Sequence, residues 1–268
     1  MSPELNDMTN SQFTKGEVFK KLHKSPALFV LPNAWDTNSA KLLTNMGFSS
    51  LAAAFVGGED AVRKPGKEGI VTNRDQTLAS ISKIVSATGL PVTANLGNGF
   101  GDRPENCMET IMLASEAGLV GVSIGDSSGK PHRPVYDYIH AVERIIASVD
   151  AARNLPFDFT LTASTENYEH GRFDLDDTIK RLVAYANAGA DVLFAPGVKT
   201  KTDLAEIINA LHPRPVNVAM DFSGADLTID KALELGIRRI SVGSSFAKAV
   251  LGDFYSEALR WKEKEIGK

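Results

Sequence analysis

A chain of 268 residues, 43% of them hydrophobic, has ample apolar side chain for one large globular domain or two small ones. Its 29 Lys and Arg against 33 Asp and Glu leave a formal net charge of −4 and no surplus for gripping a phosphate backbone, which argues against a nucleic-acid partner. The single cysteine, Cys107, can form neither an internal disulfide nor a Cys-rich zinc site; with no long apolar run and a polar Met1 to Gly16 stretch, the expectation is a cytoplasmic protein with no membrane partner.

Residues 1–26 read as a loose arm ending in a basic helix around Val18 to Lys24, and residues 27–268 as a single domain. From Leu28 onward β-rich apolar runs alternate with segments whose apolar residues recur at helical spacing. The chain order is strand Leu28–Pro32, helix Thr37–Met46, strand Ser50–Ala54, helix Asn73–Ala87, strand Val92–Leu96, helix Pro104–Ala117, strand Gly121–Ile124 and helix Tyr136–Ala152. It continues with strand Phe159–Ala163, helix Asp174–Asn187, strand Val192–Ala195, helix Thr202–Leu211, strand Val216–Met220, helix Ile229–Leu235, strand Arg239–Val242 and helix Phe246–Lys264. Several helices stop on a glycine, at Gly47, Gly118, Gly189 and Gly236, as a left-handed cap requires. Eight strand–helix units define an α/β chain of the (β/α)8 TIM-barrel size. A doubly wound sheet is the alternative, but Pro32-Asn33-Ala34-Trp35-Asp36 is no dinucleotide fingerprint.

A barrel places its chemistry on the loops that follow the strands. Those loops are Asn33 to Asp36, Phe55 to Asp60, Asn95 to Gly101, Gly125 to His132, Ser164 to His170, Pro196-Gly197, Asp221 to Gly224 and Gly243 to Ser245. Six phrases on or beside them resemble the isocitrate lyase and phosphoenolpyruvate mutase superfamily. They are Pro32-Asn33-Ala34-Trp35-Asp36, Asn98-Gly99-Phe100-Gly101, the Arg133-Pro134 to Glu143-Arg144 stretch, Glu166-Asn167-Tyr168 with His170-Gly171-Arg172, Ala188-Gly189-Ala190-Asp191 with Phe194-Ala195-Pro196-Gly197, and Arg238-Arg239-Ile240-Ser241-Val242-Gly243. The resemblance implies a (β/α)8 enzyme that makes or breaks C–C or P–C bonds beside a 2-oxo acid, with Mg2+ stabilising an enolate and an arginine gripping the substrate carboxylate.

The chain departs from that pattern where the pattern carries its chemistry. The family's Asp-x-Glu/Asp-x-Gly phrase is Asn95-Leu96-Gly97-Asn98-Gly99 here, its Glu-Asp is Gly125-Asp126, and its Ala-Arg-x-Asp/Glu is Ala163-Ser164-Thr165-Glu166. The second-strand loop gives Ala54 and Pro65-Gly66 in place of a hydroxyl and a Pro-Asp, and the lyases' Lys-Lys-Cys-Gly-His loop is absent. Neutral ligands hold Mg2+ feebly, so no cofactor is expected, and the emptied mouth suits a larger or less anionic substrate than the 2-oxo or 2-hydroxy dicarboxylates. Asp126, Glu166, Asp36 and His132 are the candidate acid–base groups. Trp35, Asn95, Gly97, Asn98, Gly125, Ser164 and Asn217 are the candidates that line or bind the small-molecule ligand, with Asn95 and Asn98 as oxyanion donors.

Each has a structural alternative. Trp35 can pack on the rim, Asp36 can cap the first helix, Asp126 can pair with Arg103 or Lys130, and His132 can be ordinary solvated loop in a flexible Ser128 to Pro134 stretch. His170 can serve a helix start, and His23, His140 and His212 are expected at the surface. Gly243-Ser244-Ser245 gives a weak anion signal. Three functional readings stand: a metal-independent enzyme, a pseudoenzyme binding a metabolite or partner, and a residual Mg2+-dependent C–C lyase. Phe254, Leu259 and Trp261 exceed what one barrel layer needs, so a homo-oligomer, dimer or tetramer, is expected.

Overall fold

The computed structural model describes residues 3–53, 73–220, 228–243 and 245–266. The predicted loops Phe55 to Asp60 and Asp221 to Gly224, together with Ala54, Pro65-Gly66 and Ser244, lie outside the described residues.

The chain opens with helix α1 (Pro3–Lys24), then β1 (Phe29–Leu31), β2 (Asn33–Ala34), α2 (Thr37–Asn45) and β3 (Leu51–Ala53). Next come α3 (Arg74–Ser86), β4 (Val92–Asn95), α4 (Pro104–Glu116), β5 (Gly121–Gly125), the short strands β6 (Ser127–Lys130) and β7 (Arg133–Val135), α5 (Tyr138–Arg153) and β8 (Thr160–Ser164). The remainder is α6 (Leu175–Ala188), β9 (Val192–Phe194), α7 (Lys201–Leu211), β10 (Val216–Ala219), α8 (Ile229–Glu234), β11 (Arg239–Ser241) and α9 (Ser245–Ile266). Every predicted barrel strand and helix that falls on described residues is present, with ends displaced by at most two residues.

Nine strands form one parallel sheet in the order β1-β11-β10-β9-β8-β5-β4-β3-β2. The ring closes through a single stretch of chain: β1 pairs with β11, and β2, one residue further on, pairs with β3. Pro32 between them has no N–H to give to a ladder; β1 falls within the predicted first strand, Leu28–Pro32, and β2 lies just past it, in the predicted Asn33 to Asp36 loop. The architecture is a (β/α)8 TIM barrel. The four expected glycine stops are all left-handed, with φ of 86°, 89°, 107° and 82° at Gly47, Gly118, Gly189 and Gly236.

Side chains alternate across each strand. On β5, Val122 and Ile124 point outward into the core between sheet and helices, and Gly121, Ser123 and Gly125 face the lumen. The same alternation sends Leu161 and Ala163 of β8 outward and turns Thr162 and Ser164 inward.

Three expectations need correcting here. The segment before the barrel is helical from Pro3, and it closes the bottom of the barrel rather than hanging as an arm. Its Phe19 is completely buried beside Phe29, Leu31, Ala52 and Val120. Gly16 is packed so closely that a Cβ there would lie 2.3 Å from the Asp158 carbonyl oxygen, so only glycine fits. His23, expected at the surface, stacks edge-on against Phe19 and Phe29, and burial pushes its imidazole down to about 3, so it is neutral. The stretch Ser128 to Pro134, expected as flexible loop, is largely the antiparallel β6–β7 hairpin. Among the described residues no helix is long and apolar enough to cross a membrane.

Candidate active site

Asp126 continues the outward series of Val122 and Ile124, so its carboxylate enters the helix layer instead of the barrel mouth. There it is 2% exposed. Oδ2 accepts from Thr165 Oγ1 at 2.9 Å, Tyr185 Oη at 2.7 Å and Arg181 Nη1 at 3.2 Å, while Oδ1 accepts the Glu166 backbone N–H at 2.8 Å. Arg181 also gives Nε to Asp177 at 2.8 Å and Nη1 to the Tyr136 carbonyl at 2.9 Å. The partner of Asp126 is thus neither Arg103, which pairs with Glu105, nor Lys130, which pairs with Asp102. Four donors within the fold hold its two oxygens, three of them on Oδ2, so the group serves the helix layer rather than the barrel mouth.

The next lumenal side chain above Ser164 is Glu166, and its carboxyl folds over Gly125. A Cβ on residue 125 would sit 2.3 Å from Glu166 Oε1 and 2.9 Å from Ser164 Oγ. Glu166 therefore occupies the space that a side chain at position 125 would need, and the absence of one is what admits it. Burial raises the Glu166 carboxyl to about 7, with the charges of Asp126 and Glu169 adding to the shift. Gly125→Ala is expected to push this carboxyl toward solvent and bring its titration down by at least one pH unit, read by carboxyl NMR; an unmoved titration would show that Glu166 does not rest on Gly125.

The β4 loop is built by its own side chains. Asn95 Oδ1 accepts the Gly97 N–H at 3.0 Å, Gly97 O accepts the Gly125 N–H at 2.7 Å, and Asn98 Oδ1 accepts the Phe100 N–H at 3.1 Å. Asn98 Nδ2 donates to Tyr136 Oη at 3.1 Å, and that hydroxyl donates to Asp102 Oδ1 at 2.7 Å. Arg144, 1% exposed, holds the loop from below through the carbonyls of Asn98, Gly101 (2.7 Å) and Asp102 (2.6 Å), with its guanidinium 4.4 Å from the Tyr136 ring centre. Burial and the Asp102 carboxylate push the Tyr136 hydroxyl up to about 12, so it acts as a neutral donor. Phe100 has φ of 61°, a left-handed conformation that the Arg144 clamp keeps in place.

The remaining predicted residues separate. Ser164 is buried in the lumen beside Gly125, and Asn217 lies deeper, giving Nδ2 to Ser241 Oγ at 3.0 Å and accepting Arg239 Nε at 2.8 Å. Asp36 caps α2, accepting the Ser39 N–H and hydroxyl at 2.7 Å each, and Trp35 is half-buried and donates its backbone N–H to Ser39 Oγ. His132 is exposed at the hairpin turn. His170 meets Ser127 Oγ at 2.8 Å and ties the β8 loop to the hairpin; His140, expected away from the mouth, bonds the Asp102 carbonyl at 2.8 Å. Sequence reasoning passed over Arg181, Tyr185, Arg144 and Tyr136 as site residues. The available signal was charge on apolar helix faces, since Arg144 and Arg181 each interrupt a core stripe.

Among the described residues, the parallel barrel carries one largely buried carboxyl, Glu166, over its strand ends, where barrels of this type place their chemistry. The sequence profile of the family described as phosphoenolpyruvate phosphomutase matches residues 19–260, and the chain belongs to that family, within the isocitrate lyase/PEP mutase superfamily. An uncharacterized Mycobacterium tuberculosis protein, Rv1998c, is 30% identical over 226 residues, covering 84% of this chain and 81% of its own length. The 2,3-dimethylmalate lyase of Eubacterium barkeri is 26% identical over 70% of this chain and 65% of its own. Among solved structures, a lyase/mutase-type protein of Burkholderia cenocepacia J2315 superposes with a TM-score of 0.88 at 47% identity, covering 94% of this chain and 89% of that one. A crystal structure of 2,3-dimethylmalate lyase gives a TM-score of 0.82 at 23% identity, covering 93% and 88%, and shares the fold.

One solved structure that shares the fold, a phosphonopyruvate hydrolase at 19% identity and a TM-score of 0.82, is a complex with oxalate and Mg2+. The described donors of this chain do not fit that ion. Asn95, Gly97 and Gly125 stand where the resemblance calls for carboxylates, Asp126 is consumed by Arg181 and Tyr185, and no group of three or more His, Cys, Asp or Glu converges among the described residues. Among the described residues Glu166 is the carboxylate left over the strand ends, and a hard divalent cation needs more anionic oxygen than that one group supplies.

Proposed function

We propose that this family member is an enzyme that moves a proton beside the carboxylate of its substrate without a divalent metal, with Glu166 as the group that carries the proton. The observation behind this reading is a lumenal carboxyl titrating near 7 directly over Gly125. Such a group holds or releases a proton at neutral pH with little driving force wasted, as general acid–base catalysis demands. The small residues Gly97 and Ser164 leave room for a substrate larger or less anionic than the 2-oxo and 2-hydroxy dicarboxylates, while the space over Gly125 is taken by Glu166 itself. A neutral Tyr136 hydroxyl and the Arg144 clamp keep the β4 loop in one shape around it.

The test is deuterium exchange into the methyl group of pyruvate, followed by NMR in EDTA. The reading expects exchange that rises through an apparent pKa near 7 and is lost in Glu166→Gln. Exchange abolished by EDTA and restored by Mg2+ would return the metal-dependent lyase reading. No exchange at all would favour a binding barrel, a reading supported by the way Asn95 and Asn98 spend their side-chain oxygens on their own loop.

The protein is also proposed to be a homo-oligomer. Val250, Phe254, Tyr255 and Trp261 of α9 are 55%, 71%, 62% and 65% exposed, an apolar load that a second copy would cover.

A further inference from the structure

Arg239 opens β11 and reaches across the lumen, yet it is only 4% exposed. Its three partners are all neutral: Asn217 Oδ1 at 2.8 Å, Thr162 Oγ1 at 2.9 Å and His23 Nε2 at 3.3 Å. Among the described residues no carboxylate forms an ion pair with it, and burial alone acts on its charge. A guanidinium has five N–H donors, so two remain beyond those three bonds. An uncompensated cation inside a protein is costly, so an anion that reached it would relieve that cost.

A second observation lies next to it. Ser123 pairs in register with Thr162, the residue that receives Arg239 Nη2, and it faces the lumen. Its Oγ is buried and has no hydrogen-bond partner. Thr162 stands two residues below Ser164 on the same face, about 7 Å down the strand. Below them α1 shuts the barrel, with Phe19 within 3.2 Å of where a Cβ on Gly121 would be. An unpaired hydroxyl and an unbalanced guanidinium therefore meet at Thr162 on one lumenal layer, which α1 covers from below.

We propose that this layer is an anion site, made by Arg239 and Ser123, that takes the carboxylate of the substrate. The cation that the family pattern places at position 164 is supplied here from the opposite wall and from underneath. One cation suits one negative charge, so the substrate class is a monocarboxylate. The inference rests on the proposed carboxylate substrate but not on Glu166 as its proton carrier.

The experiment is calorimetric titration in EDTA with pyruvate and with its neutral analogue pyruvamide, on the full chain and on Arg239→Gln, Arg239→Lys, Ser123→Ala and Glu166→Gln. Pyruvate is expected to bind at least tenfold tighter than pyruvamide. Arg239→Gln should remove that preference, Arg239→Lys should keep part of it, and Ser123→Ala should weaken pyruvate several-fold at an unchanged melting temperature. Should Arg239→Gln fail to fold, Ser123→Ala decides, because its hydroxyl bonds nothing in the fold. Equal affinity for the two ligands, no pyruvate binding, or unchanged affinity in Ser123→Ala each overturns the site. Glu166→Gln should still bind pyruvate within threefold, so loss of proton exchange in that variant would leave the anion site standing.

Discussion

Glu166→Gln is expected to make the protein more stable in alkaline than in acid solution relative to the native sequence. In the folded chain the carboxyl titrates near 7, against an ordinary value of 4.5. A carboxyl raised on folding keeps its proton in the native state after the unfolded chain has lost it. Its effect on stability is therefore absent below the unfolded value and grows as a penalty while pH climbs from 4.5 through 7. The full penalty is about 3 kcal/mol. Urea unfolding at pH 4 and pH 8 should show the native sequence losing about that much more stability than the variant. Parallel losses would mean that Glu166 is ionised in the fold, which would also remove the basis for its role as a proton carrier.

Asp126→Ala carries the other large expectation. Asp126 is the acceptor for Arg181, Tyr185, Thr165 and the Glu166 N–H at once. Its removal leaves Arg181, 4% exposed, with a displaced partner, and strands a buried phenol. Breaking one side of a buried pair costs about 3–5 kcal/mol. The double variant Asp126→Leu with Arg181→Met should recover much of that loss, because both desolvated charges are gone. The same substitution withdraws a negative charge from beside Glu166, so the carboxyl should titrate lower in any variant that folds. Melting temperatures of the three chains read the first effect and carboxyl NMR the second. A single variant as stable as the native chain would show that the network is solvated.

The barrel was legible because its signals are repetitive. Apolar runs such as Val92–Leu96 and glycine stops such as Gly118 recur with each unit, and the structure repeats them. Glu166 was legible because it follows a strand. Asp126 follows one too, but it stands one residue from a lumenal glycine, and that single step turns its side chain to the opposite face. Counting from Val122 and Ile124 would have shown this. Arg144, Arg181 and Tyr185 were hidden for a different reason: they sit on helices, where a polar residue reads as solvent-facing until packing shows otherwise. The β6–β7 hairpin was missed because Ser127 to Val135 carries two prolines and a glycine over few residues, a composition that normally marks loop.

The closure of the barrel floor by α1 bears on how the chain assembles. This helix precedes every barrel strand in the chain, yet its anchoring partners are spread over most of the sequence: Gln12 reaches the Ser115 and Leu119 carbonyls, Lys15 the Thr88 carbonyl, Lys20 the Asp158 carboxylate and His23 the Arg239 guanidinium. It must wait for the last strand before its seat exists. Contacts spanning up to 216 residues make docking a late, high-contact-order event. Until then Phe19 is an exposed apolar side chain on a nascent chain, and the half-built sheet beneath it has open edges.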